Sequence, residues 1–231
     1  MDKSPLGDRT VVVFGGTGAL GSAVVERMLA DDATVIVADA AVPKASDGHV
    51  GVQYVIVDAL NEDSVASCFD SLNPAPWAVV NLIGGFAGAQ SIADLELSVL
   101  RRQFELNLVT AATISKYAVR HIKAGGLGGR IVHTSSRVAT QDGHDGFSYS
   151  VSKLAVVRLV EATATEVRDD AITVNCVMPS IIDTPANRAS MATADFDKWP
   201  KAHEIADVVS FLVSDASALI SGAALPVYGR A

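Results

Sequence analysis

Thr10-Val11-Val12-Val13-Phe14 runs without a spacer into Gly15-Gly16-Thr17-Gly18-Ala19-Leu20-Gly21. The first five residues are apolar, mostly β-branched, and stop at glycine, which reads as a short buried strand. Beyond the glycines the spacing becomes helical. Over Ala19–Ala30, Leu20, Val24, Val25 and Met28 fall on one face. Strand, glycine-rich turn and helix therefore follow one another directly.

The same alternation continues outward. Strands are expected at residues 34–38, 52–57, 77–82, 130–134, 171–177 and 224–227. Helices are expected at 61–72, 100–123, 147–168 and 205–213, with Asp94 as the N-cap leading into the second of these and Gly125 and Gly126 ending it. Residues 178–200 carry three prolines and no clear period, so they read as a long loop with short helices. Strands that alternate with helices need crossover connections, hence an α/β, mostly parallel sheet with helices on both faces. No repeat or linker interrupts the pattern, and residues 1–231 read as one domain.

Composition narrows the function classes. The chain has 231 residues, 49% of them apolar, a formal net charge of -8 and two cysteines, Cys68 and Cys176. That apolar share supports a full core. Without clustered Lys/Arg to displace counterions, neither nucleic acid nor an anionic membrane is an expected partner. The two cysteines form no CxxC pair and read as small buried residues. Met1 to Arg9 has no apolar core of signal-peptide length, and no later apolar run reaches the ~18 residues of a membrane span, so the expected location is cytoplasmic. Five histidines, His49, His121, His133, His144 and His203, lack metal-ligand spacing and read as surface or packing residues, with His144 close enough to Tyr149 in sequence to touch a substrate.

The glycine turn has its own chemistry. Gly16-x-Gly18-x-x-Gly21 matches the dinucleotide fingerprint and stands in the context that the fingerprint requires, between a strand and a helix. Glycines allow a tight turn and close approach of a pyrophosphate, while exposed N–H groups and the helix dipole favour the anion. Gly15, Gly16, Thr17, Gly18, Ala19, Leu20 and Gly21 are thus candidate cofactor contacts. Asp39 ends the second strand, where an acidic group would bind a ribose 2′-hydroxyl and repel a 2′-phosphate. The expected cofactor is accordingly NAD(H), with NADP(H) as the alternative. Asp58, with Ala59 beside it, ends the third strand and either meets the adenine or caps the following helix. Asn81, Gly84 and Gly85 end the fourth strand, where small residues let a ligand lie against the backbone.

Ser135 and Ser136 follow the fifth strand, and Tyr149 and Lys153 lie one helical turn apart on the next helix. A neighbouring ammonium stabilises a phenolate, so Lys153 is expected to lower the Tyr149 pKa toward values useful for proton transfer. Ser136 is placed to hydrogen-bond a reacting oxygen. Asn107, in the earlier long helix, is a candidate for fixing backbone or water. A Tyr-x-x-x-Lys pair by itself is an ordinary surface pair; its position after a cofactor turn, in this order, makes it a candidate catalytic pair.

Taken in order, Gly15–Gly21, Asp58, Asn81–Gly84, Asn107, Ser136, Tyr149, Lys153 and the segment from Pro179 to Thr184 resemble the short-chain dehydrogenase/reductase family over nearly the whole chain. The resemblance implies a doubly wound Rossmann-like sheet in the order 3-2-1-4-5-6-7 and a catalytic set of Asn107, Ser136, Tyr149 and Lys153. Tyr149 would be the acid/base and Lys153 would also bind the nicotinamide ribose. It selects Ser136 over Ser135 by its distance from the tyrosine. Pro179, Ile182 and Thr184 would flank the nicotinamide amide. A small-molecule substrate and a homotetramer or homodimer, built through the two long helices and the last strand, are further implications.

The match has departures. Phe14 stands where the family has threonine, Ala19 where it has a glycine, Leu82-Ile83 where it has Asn-Ala, and Ser180 where it has glycine. Several of these, with Gly84-Gly85-Phe86-Ala87-Gly88 and residues 183–199, resemble dihydropteridine reductase, an NADH-using branch that lacks the serine. The expected reaction is hydride transfer between nicotinamide and a ketone or 3-oxoacyl group. A pterin-like substrate and a nucleotide-sensing module without turnover are the alternatives. Arg137 is a candidate for meeting an acidic substrate, and Phe196 with Trp199 for a lid.

Overall fold

The computed structural model describes residues 4–43, 48–86, 90–141 and 146–230. Seven strands, β1 (Thr10–Phe14), β2 (Thr34–Asp39), β3 (Gln53–Ile56), β4 (Ala78–Asn81), β5 (Gly129–Thr134), β6 (Ile172–Pro179) and β7 (Ala224–Val227), form one sheet. Its order is β3-β2-β1-β4-β5-β6-β7 and every pairing is parallel. The helices are α1 (Ala19–Ala30), α2 (Glu62–Asp70), α3 (Leu97–Phe104), α4 (Thr110–Gly125), α5 (Phe147–Glu166), α6 (Pro185–Ser190) and α7 (Ala202–Val213).

Strand alternation sorts the core into two layers. Val12, Phe14, Ile36, Val79, Ile131 and Val174 point to one face, where Phe69, Ile114 and Val160 cover them from α2, α4 and α5. Val11, Val13, Val35, Val37, Val80 and Val132 point to the other, under Val24 and Met28 of α1 and Ile205 and Val209 of α7. A sheet buried on both sides explains why these strands read as unbroken apolar runs. Each strand then feeds a loop at the same edge, so the loops after β1, β2, β4, β5 and β6 gather at the carboxyl ends, where open α/β sheets bind ligands.

The stretch expected as one helix at 100–123 is helical throughout Leu97–Gly125, with Glu105–Val109 forming a π-helical turn between α3 and α4. Two expectations are corrected. The helical stretch begins after Glu96, so Asp94 is no cap; its carboxylate accepts from Ser91 Oγ at 2.7 Å. Nor does Asp58 cap α2. Asn61 does, its Oδ1 accepting from the backbone N–H groups of Asp63 and Ser64, while Asp58 Oδ1 accepts from Leu60 N. The expected Gly125–Gly126 stop is present, with Gly126 left-handed at φ 70°. Residues 178–200 contain the end of β6, α6 and a 3₁₀ turn at Phe196–Lys198. Among the described residues no helix is long and apolar enough to cross a membrane. None of their acidic, histidine or cysteine side chains cluster as a metal site.

Candidate active site

The turn after β1 is shaped by four glycines with different duties. Gly15 takes φ 79°, a left-handed conformation that side chains rarely adopt. A Cβ at Gly16 would stand 2.8 Å from the Val37 methyls, and one at Gly21 only 2.2 Å from the Gly15 carbonyl oxygen. These two let β1, β2 and α1 pack. A Cβ at Gly18 would meet only the Gly15 oxygen, at 3.6 Å. The fold therefore does not need glycine there, and the space above it is open to a ligand. Gly18 is also the N-cap of α1 without a side-chain cap, so no side chain competes for the first-turn N–H groups. Thr17, Gly18 and Ala19 are exposed and Leu20 half-buried. This turn fits a pyrophosphate.

Asp39 lies beside it. Its Oδ2 accepts from Thr17 N at 3.0 Å and Thr17 Oγ1 at 2.6 Å, and its Oδ1 from Ala40 N at 2.7 Å. The carboxylate thus ties the end of β2 to the glycine turn, a structural bond that the sequence did not disclose. Phe14, at the departure from the family pattern, is fully buried and stacks on Phe69 at 5.6 Å, fastening β1 to α2. Asp58 is exposed and Ala59 half-buried at the end of β3.

After β4 the chain passes over the middle of the site. Asn81 is buried, and its Oδ1 accepts from Ile83 N at 3.0 Å. Asn107, carried inward by the π-helical turn, accepts from Gly85 N at 2.9 Å through Oδ1 and donates through Nδ2 to Gly85 O at 3.1 Å and Ser152 Oγ at 3.0 Å. A Cβ on Gly84 would come within 2.7 Å of both Asn107 Oδ1 and Lys153 Nζ. Glycine at 84 is what lets this strand end lie against those two side chains.

The Ser, Tyr and Lys groups meet where β5 and α5 converge. Ser136 faces the Tyr149 hydroxyl closely enough to lower its pKa. Ser135 instead donates to the Lys153 carbonyl at 2.8 Å and is buried, locking α5 onto β5. Lys153 is 3% exposed, and its ammonium donates to Thr134 O at 2.9 Å. Burial pushes its pKa down to about 8. Here one expectation changes. Burial moves the Tyr149 pKa upward, and what lowers it is Ser136 rather than Lys153. The physical reason is that the Lys153 ammonium turns to the Thr134 carbonyl and sits 5.9 Å from the centre of the Tyr149 ring. The exposed Phe86 ring meets Tyr149 edge-on at 5.4 Å.

The segment after β6 closes the far side. Pro179 ends the strand, and Ser180 Oγ donates to Tyr228 O at 2.7 Å. Ile182 O accepts from Asn187 Nδ2 at 2.8 Å, and Thr184 caps α6 by accepting from Asn187 N. Asp183 takes Arg188 and Lys201 together, at 2.5 Å each, and these cations hold its carboxyl well below the usual range. Arg188 lies over the Phe196 ring, which packs on Trp199. Trp199 is buried, so it packs the loop. Arg137 sits 5.8 Å over the Tyr228 ring. His144, Ala87 and Gly88 lie outside the described residues.

His133, expected to be a surface or packing residue, also has a hydrogen-bonding part in this region. It is fully buried on β5 and bonds to Asn81 and Ser115. The available signal was its place in Arg130-Ile-Val-His133, where strand alternation puts it on the same face as Ile131.

Comparison with known proteins agrees with this geometry. Residues 16–229 match the family model described as Enoyl-(Acyl carrier protein) reductase. The chain is similar to cis-4-hydroxycyclohexanecarboxylate dehydrogenase of Sinomonas cyclohexanicum, 30% identical over 241 residues and covering 96% of each chain. It is also similar to the 3-oxoacyl-(acyl-carrier-protein) reductase MabA of Mycobacterium tuberculosis, 28% identical over 239 residues, covering 98% of this chain and 94% of the other. A solved short-chain type dehydrogenase/reductase from Mycobacterium ulcerans superposes with a TM-score of 0.88 at 26% identity, covering 97% of this chain and 90% of that one. The chain is an oxidoreductase belonging to the short-chain dehydrogenase/reductase family, whose members bind a nicotinamide cofactor.

Proposed function

We propose that this protein is an NAD(H)-dependent oxidoreductase acting on a small ketone or secondary alcohol, with Tyr149 as the acid/base. The observation that carries the reading is the convergence of Ser136, Tyr149 and the buried Lys153 under the strand-end glycines, with Ser136 close enough to the Tyr149 hydroxyl to lower its pKa. Bound at the carboxyl ends of the strands, the nicotinamide would supply or accept the hydride. Gly15 to Gly21 would hold the pyrophosphate, Asp39 and Asp58 with Ala59 the adenosine half, and Asn81, Gly84, Gly85, Pro179, Ile182 and Thr184 the nicotinamide half.

The side chains divide the remaining work. A phenol is protonated at neutral pH, burial moves the Tyr149 pKa further up, and the protonated form is the one that a carbonyl reduction consumes. Tyr149 donates that proton to the substrate oxygen, and Ser136 orients the same oxygen. The phenolate left behind is stabilised by the Ser136 hydroxyl. Asn107 acts on the backbone: by gripping Gly85 and Ser152 it fixes the strand end against α5. Ser136 favours carbonyl chemistry over a pterin-type reduction that dispenses with the serine. The two named relatives are a hydroxy-acid dehydrogenase and a 3-oxoacyl reductase, and they support the same substrate class.

Asp39 supports the preference for NAD(H). In this reading its carboxylate would face a 2′-phosphate, and Ala40 and Ala41 beyond it bring no cation. Val109, Phe147 and Leu154 are exposed apolar residues on the α5 side, the surface that a homodimer or homotetramer would cover. The test of the function is Tyr149→Phe. Turnover of a ketone with NADH should fall at least ~1000-fold, the scale of a lost general acid plus its charge site. NADH affinity should stay within about threefold. Retained turnover would overturn the mechanism.

A further inference from the structure

Below the strand-end glycines lies a buried polar chain that ends on Asn81 and whose other members, His133 and Ser115, take no part in the scheme above. Ser115 Oγ donates to Ala111 O at 2.8 Å, and a hydroxyl has one proton to give. Towards His133 Nε2, 2.9 Å away, Ser115 Oγ is therefore the acceptor, and Nε2 carries the hydrogen. His133 Nδ1 is then bare and accepts from Asn81 Nδ2 at 3.2 Å. That fixes the Asn81 amide with Oδ1 toward Ile83 N, the bond seen at 3.0 Å. Only one tautomer and one amide orientation satisfy all four contacts.

We propose that His133 is a positioning residue for the nicotinamide site: it sets the Asn81 amide, which holds the Ile83–Gly85 backbone where the cofactor would lie. The inference rests on the function proposed above, in which that backbone meets the cofactor. Three features support it. His133, Asn81 and Ser115 are 0%, 2% and 3% exposed, so water does not substitute for any link. Gly84 follows directly and leaves no slack, since its backbone already lies against Asn107 and Lys153. A protonated His133 would turn an N–H toward the Asn81 amide hydrogens, and burial with the nearby Lys153 charge keeps the ring neutral by lowering its pKa to about 4.

Two conservative substitutions separate the links. In His133→Asn the new Oδ1 takes the place of Nδ1 and can still accept from Asn81. In His133→Gln the new amide nitrogen takes the place of Nε2 and can still donate to Ser115, but Asn81 loses its acceptor. The experiment measures the NADH dissociation constant by calorimetry and the melting temperature for both variants and the native chain. The expected result is affinity within about threefold of native for His133→Asn and about tenfold weaker for His133→Gln, the worth of one buried hydrogen bond. Melting should fall in both. Ser115→Ala, the mildest change, removes the last link and should weaken NADH binding about threefold with the fold retained. Equal losses in the two histidine variants, or no change in Ser115→Ala, would overturn the positioning role and leave the function standing. Failure of the native chain to bind NADH would overturn the function and this inference with it.

Discussion

Alanine placed at Gly18 and at Gly21, one at a time, separates what the glycine turn does for the fold from what it does for a ligand. At Gly21 the new methyl would lie 2.2 Å from the Gly15 carbonyl oxygen and 2.7 Å from Gly16 backbone atoms. Backbone cannot swing aside as a side chain can, so α1 must shift by close to an ångström. Overpacking of this kind costs about 1–3 kcal/mol, and contact with backbone argues for the upper end. For a chain of this size ~3 kcal/mol lowers the melting temperature by roughly 6–12 °C. At Gly18 the backbone is already extended, with φ -73° and ψ 170°, and the methyl has room. The loss of a favourable N-cap residue and the gain from a stiffer unfolded chain each amount to about 0.5 kcal/mol and oppose one another. Gly18→Ala should therefore melt within about 2 °C of the native chain. It should bind NADH 10- to 100-fold more weakly, since displacing the pyrophosphate forfeits about one charge-assisted hydrogen bond. Differential scanning and calorimetric titration of both variants give the four numbers. Native-like NADH binding by Gly18→Ala would refute the placement of the pyrophosphate; a native-like melt for Gly21→Ala would refute the packing argument.

Two further outcomes follow from burial. Lys153 has a pKa near 8 in the folded chain against 10.5 when unfolded. Between these values the unfolded state holds the extra proton, so the part of folding stability that Lys153 contributes should rise with pH over that window relative to a chain lacking it. In Lys153→Met the rise should be missing, and scanning both proteins from pH 7 to 10.5 would expose parallel curves if the reasoning is wrong. Cys68 and Cys176 are buried, with pKa values pushed up to about 11 and 12. An aromatic disulfide reagent should leave both untouched at pH 8 until denaturant is added, and rapid labelling of the native chain would contradict their burial.

The fold was legible because its strands announce themselves locally. Thr10–Phe14 is apolar on both faces, stops at glycine, and lies in the middle of a sheet covered on both sides. The glycine turn after β1 was expected from type and spacing, and Ser136, Tyr149 and Lys153, singled out through the family resemblance, come together where β5 and α5 converge. What escaped was decided by partners distant in sequence. Asn107 was expected to fix backbone or water, but local periodicity foretells neither its partners Gly85 and Ser152 nor the π-helical turn that carries it. Spacing placed Lys153 one turn from Tyr149 but could not show that its ammonium would choose the Thr134 carbonyl. Asp94 resembled a cap in sequence, yet Ser91 claimed its carboxylate. His133 looked like a packing residue because both its hydrogen-bond partners come from other elements.

Titration of the purified native chain with NADH and then with NADPH is the most direct test of a nicotinamide-dependent enzyme selected by Asp39. NADH should bind at least about tenfold tighter, because a 2′-phosphate would have to sit against the Asp39 carboxylate. Tighter binding of NADPH would contradict the role given to Asp39, and binding of neither would contradict the enzyme itself.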